Sequence, residues 1–168
     1  MKILETERLI LREIVQTDAD FILDLLNQPS FIRYIGDRNV RTADDARYFI
    51  KDRCRKSYRL HGFGVYTVEL KETCEAAGIC GFIKRDFLPD ADIGFAFLPQ
   101  FEKKGYAFES ASAVLEYGKK FLNFKRVLAI TTLDNENSGR LLAKLGFRFE
   151  RLIKSPENDD LKLFSKEL

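Results

Sequence analysis

The chain is 168 residues long and 45% hydrophobic, enough to bury the core of one domain, and no linker, charge block or repeat divides it. A net charge of +2, with basic residues scattered among acidic ones, argues against a dedicated nucleic-acid surface. No apolar run approaches the ~18 residues of a membrane span, no secretory leader is recognisable at Met1, and the lone His61 shares no metal-ligand spacing with Cys54, Cys74 and Cys80, so a cytoplasmic protein with reduced thiols and no metal is expected.

In chain order, residues 8–15 read as a first strand, and Thr17-Asp-Ala-Asp20 opens a helix with Phe21, Ile22, Leu25 and Leu26 on its apolar face, ending near Gln28 ahead of Pro29. Residues 27–39 are the least regular part of the chain. Thr42-Ala-Asp-Asp45 resembles a capping box with Asp in place of Glu and begins a second, long and basic helix carrying Ala46, Phe49 and Ile50 on one side. Residues 63–70, 77–84 and 91–98 read as three strands of an antiparallel meander, the first two joined by the polar turn Lys71-Glu-Thr-Cys-Glu75.

The stretch Pro99-Gln-Phe-Glu-Lys-Lys-Gly-Tyr-Ala107 follows this third strand. Beyond it Ala107, Ala111, Val114, Leu115, Gly118, Phe121 and Leu122 recur with helical spacing, so a helix starts near Gly105. The first amides of a helix have no intrahelical acceptor and sit at the positive end of its dipole, where a phosphate meets several donors together. Gly105 allows close backbone approach, and Lys103 and Lys104 add cationic charge. Taken alone the segment reads equally well as a basic surface turn. It has one glycine, too few for a Walker loop or a dinucleotide-binding fingerprint.

Residues 127–133 form a β-branched buried strand, and Asp134 or Asn135 caps the short helix behind it. Leu141, Leu142 and Leu145 are that helix's apolar stripe, and Gly146 suits the left-handed residue that ends it. Strands at 147–153 and 161–166 close the chain around Ser155-Pro-Glu-Asn-Asp159. The sum is a mixed α/β sheet, mostly antiparallel and flanked by helices.

These blocks resemble the GNAT superfamily of acyl-coenzyme A-dependent N-acetyltransferases. The family's Gln/Arg-x-x-Gly-x-Gly/Ala loop falls on Glu102, Gly105 and Ala107; its Asn-x-x-Ser and Lys-x-Gly-Phe fall on Asn135, Ser138, Lys144, Gly146 and Phe147. The opening Glu5-Thr-Glu-Arg-Leu-Ile-Leu-Arg12 is similar to the branch of ribosomal-protein N-terminal acetyltransferases. The resemblance implies a cleft between splayed strands in which acetyl-coenzyme A lies along the backbones of Phe95, Phe97 and Leu98. The amides of Glu102, Lys103, Lys104, Gly105, Tyr106 and Ala107 would surround its pyrophosphate, and Asn135 and Ser138 would complete the site. Glu102 departs from the usual Gln or Arg and is expected to face solvent.

Acetyl transfer needs a neutral amine, donors for the thioester oxygen and a proton for the departing thiolate. Leu142 stands where many family members have an acidic tyrosine, which leaves Ser138 as the candidate acid; a plain first-turn serine is the competing reading. Asp92, on the same strand side as Gly94, Ala96 and Leu98, is the candidate base or water-relay carboxylate, against a reading as a solvent-exposed strand end. Phe31, Arg33, Tyr34 and Asp37 are expected to form the acceptor wall, and His61 to be structural. The acceptor could be a peptide N-terminus, a polyamine or a small amine drug, and the protein a monomer or homodimer. The alternative is an acyl-coenzyme A-binding sensor without turnover.

Overall fold

The computed structural model describes residues 1–168. Eight strands, β1 (Lys2–Glu5), β2 (Leu9–Glu13), β3 (Val65–Leu70), β4 (Ala76–Ile83), β5 (Asp92–Phe97), β6 (Arg126–Thr132), β7 (Arg148–Lys154) and β8 (Asp160–Glu167), form one sheet in the order β1-β2-β3-β4-β5-β6-β8-β7. Every neighbouring pair is antiparallel except β5 and β6, which are parallel. The expected meander is β3-β4-β5. Strand β1 is an addition to the expected set: a short edge strand whose ends are exposed carries little hydrophobic signal.

The helices are α1 (Ala19–Leu26), α2 (Pro29–Tyr34), α3 (Ala43–Phe49), α4 (Lys56–His61), α5 (Tyr106–Phe121) and α6 (Glu136–Lys144). Between α3 and α4 the six residues Ile50–Arg55 are π-helical, so the long basic helix expected from the sequence is one rod with a wide turn in its middle. Its capping box is present: Thr42 Oγ1 accepts from Asp45 N–H at 3.1 Å and Asp45 Oδ2 accepts from Thr42 N–H at 3.0 Å. Gly146, at φ +91°, ends α6 as expected, with Phe147 N–H donating to Leu142 O.

Strand alternation sends successive residues of β5 to two different cores. Ile93 and Phe97 pack on one face with Val127 and Ala129 of β6, Ala111, Val114 and Leu115 of α5, and Leu142 and Leu145 of α6. On the opposite face Leu98 and Ala96 meet Ile22, Leu25 and Leu26 of α1, Ala46 of α3 and Ile50. Two expectations are corrected. Phe121, expected on the buried face of α5, is 71% exposed and stacks on Tyr117, because in the last turn Gly118 and Leu122 are the residues turned toward the core. Residues 27–39, expected to be irregular, contain α2, which begins at Pro29 in the position where proline's missing N–H costs nothing.

Candidate active site

Strands β5 and β6 share a single bridge, Asp92 with Leu128, at which Leu128 N–H donates to Ala91 O at 3.0 Å. Beyond it they part, although both run on for several residues. Leu98 N–H donates to Ala77 on the β4 side at 2.9 Å. By the two-residue alternation of a strand, the backbones of Phe95 and Phe97 then face the other way, into the gap toward β6. The gap is a slot walled on the β5 side by peptide groups without ladder partners.

The same pairing narrows the expectation for Leu98: its N–H is held by Ala77, so it cannot serve as a donor to a ligand, and its carbonyl already accepts from Phe101 N–H at 3.0 Å. Glu102 is corrected likewise as a donor, since its N–H already donates to Pro99 O. Its side chain is exposed, as expected.

Where β5 ends, the chain passes through a short 3-10 turn, Pro99–Phe101, and enters α5. Lys103 and Gly105 both adopt left-handed conformations, at φ +59° and +83°. The amides of Lys103, Lys104, Gly105, Tyr106, Ala107 and Phe108 have no acceptor within the protein. The loop therefore presents a run of unpartnered N–H donors at the positive end of a 16-residue helix, the kind of backbone arrangement that suits an anion.

The loop is braced by residues outside the expected set. Arg8 donates from Nη1 to Lys104 O at 2.9 Å and from Nε to Glu109 at 2.7 Å, and its guanidinium lies 4.6 Å from the centre of the Tyr106 ring. Glu109 also accepts from Thr6 Oγ1 and Arg8 N–H at 2.6 and 2.9 Å. Burial works against the charged form of Glu109, but these donors hold its carboxyl below the usual range. A Cβ at Gly105 would come within 3.2 Å of Arg8 Nη2, so the turn and its brace are fitted to a glycine. The motif placed Gly105, but a contact of this sequence separation leaves no local signal. Tyr106 packs against the core at the helix start, as expected.

Across the gap, α6 starts just beyond β6. Asn135 Oδ1 accepts from Ser138 N–H at 3.2 Å and caps it. Ser138 is half-buried, and its hydroxyl makes no hydrogen bond within the protein. Leu142 is 1% exposed and belongs to the core. The two helices that follow the two parting strands thus both begin at the same end of the slot.

Asp92 stands at the closed end of the gap. It is 1% exposed, which overturns the reading as a solvent-exposed strand end, and Arg85 Nε faces both its oxygens at 3.0 and 3.1 Å. Burial pushes its carboxyl up to about 6, with Arg85 opposing the shift. Of the residues expected to form an acceptor wall, Phe31 is corrected: it is 6% exposed and packs in the core beneath α1 and α3, because α2 turns it inward. Arg33 and Tyr34 do reach the surface side of α2, the Arg33 guanidinium 5.0 Å from the Tyr34 ring. Lys103 and Lys104 are exposed at the loop. Asp37 is paired with Arg41, and His61 is an exposed residue at the end of α4 against Phe63, 5.8 Å between ring centres.

The family model described as an acetyltransferase (GNAT) domain matches residues 8–148. The uncharacterized N-acetyltransferase YoaA of Bacillus subtilis (strain 168) is 33% identical over 153 residues, covering 90% of this chain and 86% of that protein. The ribosomal protein uS5-alanine N-acetyltransferase of Escherichia coli (strain K12) is 28% identical over 92 residues, which are 55% of this chain and 47% of that protein. Among solved structures, the microcin C7 self-immunity acetyltransferase MccE in complex with acetyl-CoA and AMP superposes with a TM-score of 0.81 at 21% identity, covering 97% of this chain and 94% of that one.

Proposed function

The chain belongs to the acetyltransferase (GNAT) family, and from that premise we propose that it moves an acetyl group from acetyl-coenzyme A directly to a primary amine, both held in one ternary complex. The observation that carries the reading is the pairing of a slot of unpartnered strand backbone with a helix mouth of unpartnered amides. A long molecule with hydrogen-bonding amides at one end and phosphates at the other matches that order of donors. Coenzyme A is such a molecule, and its acetyl thioester supplies the activated carbonyl.

The residues divide the work. Amides at 103–108 take the diphosphate, with Lys103 and Lys104 adding charge and Arg8 keeping the loop in shape. The Phe95 and Phe97 backbones line the arm, and an N–H of this strand is the donor for the thioester oxygen. Ser138, whose hydroxyl is uncommitted, donates the proton that the leaving sulfur needs, while Asn135 holds the turn that presents it.

Asp92 ends a water relay that draws the proton from the incoming ammonium. A carboxylate with its pKa near 6 is ionised at neutral pH and is a stronger base than an ordinary one. The help required depends on the acceptor: an α-amine, near 7.7 to 8.0, is roughly a tenth neutral at pH 7, and a lysine side chain near 10.4 about one part in two thousand. The relay therefore favours an α-amine, consistent with the activity named for the uS5-alanine relative. The absence of a family-type tyrosine at Leu142 favours one second reading, a coenzyme A-binding module without turnover.

Release of free thiol from acetyl-coenzyme A, measured with peptides, polyamines and small amines, tests the proposal beside thermal stabilisation by the same cofactor. Saturation at 100 times Kd should stabilise the fold by about 2.7 kcal/mol. Stabilisation with amine-dependent thiol release is expected. Stabilisation alone gives the module reading, and neither result overturns both.

A further inference from the structure

The polar side chains buried in this fold are Asp18, Thr67, Asp92, Ser110 and Thr131. The first four have partners: Asp18 is paired with Arg12 and accepts from the Thr67 hydroxyl, Asp92 is held by Arg85, and Ser110 Oγ donates to Ala107 O at 3.2 Å. Thr131 is 5% exposed, and its Oγ1 has no hydrogen-bond partner. A hydroxyl taken out of water and left unpaired costs stability, so an orphan of this kind in a native core calls for a group that completes it.

Thr131 stands on the wall of the gap. The bridge sets Asp92 beside Leu128 in parallel register, so the third residue beyond it on each strand, Phe95 on β5 and Thr131 on β6, face each other across the gap about 10 Å from its closed end. Alternation along β6 puts Val127 and Ala129 in the core beneath α5 and α6, and Leu128 in the separate cluster with Leu88 and Leu163. Thr131 continues the first set, so its side chain rises on the face that carries both helices, as does that of Phe95. Thr132 Oγ1 also lacks a partner at hydrogen-bonding geometry, but alternation turns it to the opposite face, beside the Asp134 carboxylate.

The order of groups along the slot decides what meets the Thr131 hydroxyl. The helix mouth at residues 103–108 lies past the end of β5, and Phe95 is the deeper of the two peptides that open toward β6. With phosphates at the mouth and the arm running inward, the deepest group of coenzyme A is its sulfur. Sulfur is a weak acceptor in a thioester and a far stronger one once the C–S bond has broken and the thiolate carries the charge.

We infer that Thr131 holds the cofactor's sulfur, donating from Oγ1 a hydrogen bond that strengthens as the thiolate forms. The inference rests on the acetyl-transfer reading and deepens it. Thr131 orients the sulfur and keeps its own proton, while Ser138 supplies the one that the thiol retains. The hydroxyl serves the bound cofactor and contributes nothing to the fold.

Calorimetry of the full chain with coenzyme A and with desulfo-coenzyme A, in which hydrogen replaces the thiol, tests this. Thr131→Val keeps nearly the same shape and removes the hydroxyl. It should weaken coenzyme A by about fivefold or more, the scale of one lost hydrogen bond, and leave desulfo-coenzyme A within about twofold of the parent. Thr131→Ser, which keeps the hydroxyl, should retain the parent's preference between the two ligands. Without ligand, the melting temperature of Thr131→Val should equal or exceed that of the parent, because an unpaired polar atom leaves the core. Equal weakening of both ligands, weakening of neither, or a melting temperature that falls in the valine variant and recovers in the serine one overturns the inference. Failure of the parent to bind coenzyme A overturns it together with the acetyl-transfer reading. Amine-dependent thiol release by the parent separates the two claims. Release without a sulfur-selective loss defeats the inference alone; a sulfur-selective loss without release defeats acetyl transfer alone.

Discussion

Arg33 on α2 and Asp134 just beyond β6 lie 101 residues apart in sequence and meet through Nη2 and Oδ2 at 2.9 Å. The pair ties the helical arm to the turn that follows the strand forming the far wall of the gap. Both side chains are more than half exposed, at 65% and 57%, so the bond is geometric in its value and screened by salt. Its removal should loosen the approach to the slot more than the fold.

For Arg33→Ala, the melting temperature should therefore stay near that of the parent while KM for the amine rises severalfold and KM for acetyl-coenzyme A does not. A thermal-shift assay beside steady-state kinetics checks this. A stability loss matching that of a core substitution would contradict it.

Gly105→Ala places a side chain on a residue at φ +83° and within reach of Arg8. The left-handed conformation alone costs an alanine about 1 to 2 kcal/mol. Denaturant unfolding should register that loss, and calorimetry should find the affinity for coenzyme A reduced about tenfold or more, because the amides on either side of the turn lose their common direction.

Asn135 and Ser138 separate a cap from a chemical role. Asn135→Ala removes the acceptor of Ser138 N–H and should cost about 1 kcal/mol of stability. Ser138→Ala should leave stability and cofactor affinity unchanged but lower kcat by roughly a hundredfold, the lower range for a lost proton donor. A kcat unchanged in Ser138→Ala would return the role of acid to water.

Asp92 supplies the pH dependence. Its folded value, raised by burial from 3.8 to about 6 despite Arg85, means that the native state holds the proton more tightly than the unfolded chain between those limits. Its contribution to stability is full below about pH 4 and is lost as pH rises through 6. Relative to Asp92→Asn, the parent should lose up to about 3 kcal/mol across that window in pH-resolved chemical unfolding. The profile of kcat/KM should carry a rising limb near pH 6 that the Asn variant lacks.

Much of this arrangement was legible in the sequence wherever the signal is local. The cap at Thr42 and Asp45 spans one turn, the stop at Gly146 is a single conformational demand, and the strand, loop and helix around Gly105 are written consecutively. The donors of the slot were half legible: a motif names the strand, but which of its peptides face outward depends on the partner, and Leu98 pairs with Ala77. Phe31 shows the same limit for side chains. An aromatic beside Arg33 and Tyr34 reads as wall until a short helix turns it inward. Arg8, Glu109 and Arg85 act through partners that no spacing rule predicts, so their roles came only from the folded chain.

The lone bridge between Asp92 and Leu128 divides the sheet's backbone network into two hydrogen-bonded blocks, β1–β5 and β6–β8, stitched at one point. Beyond that bridge no ladder hydrogen bond joins the blocks, and side-chain packing in their shared core holds them together. The occupant of the slot would then act as a missing strand as much as a reactant.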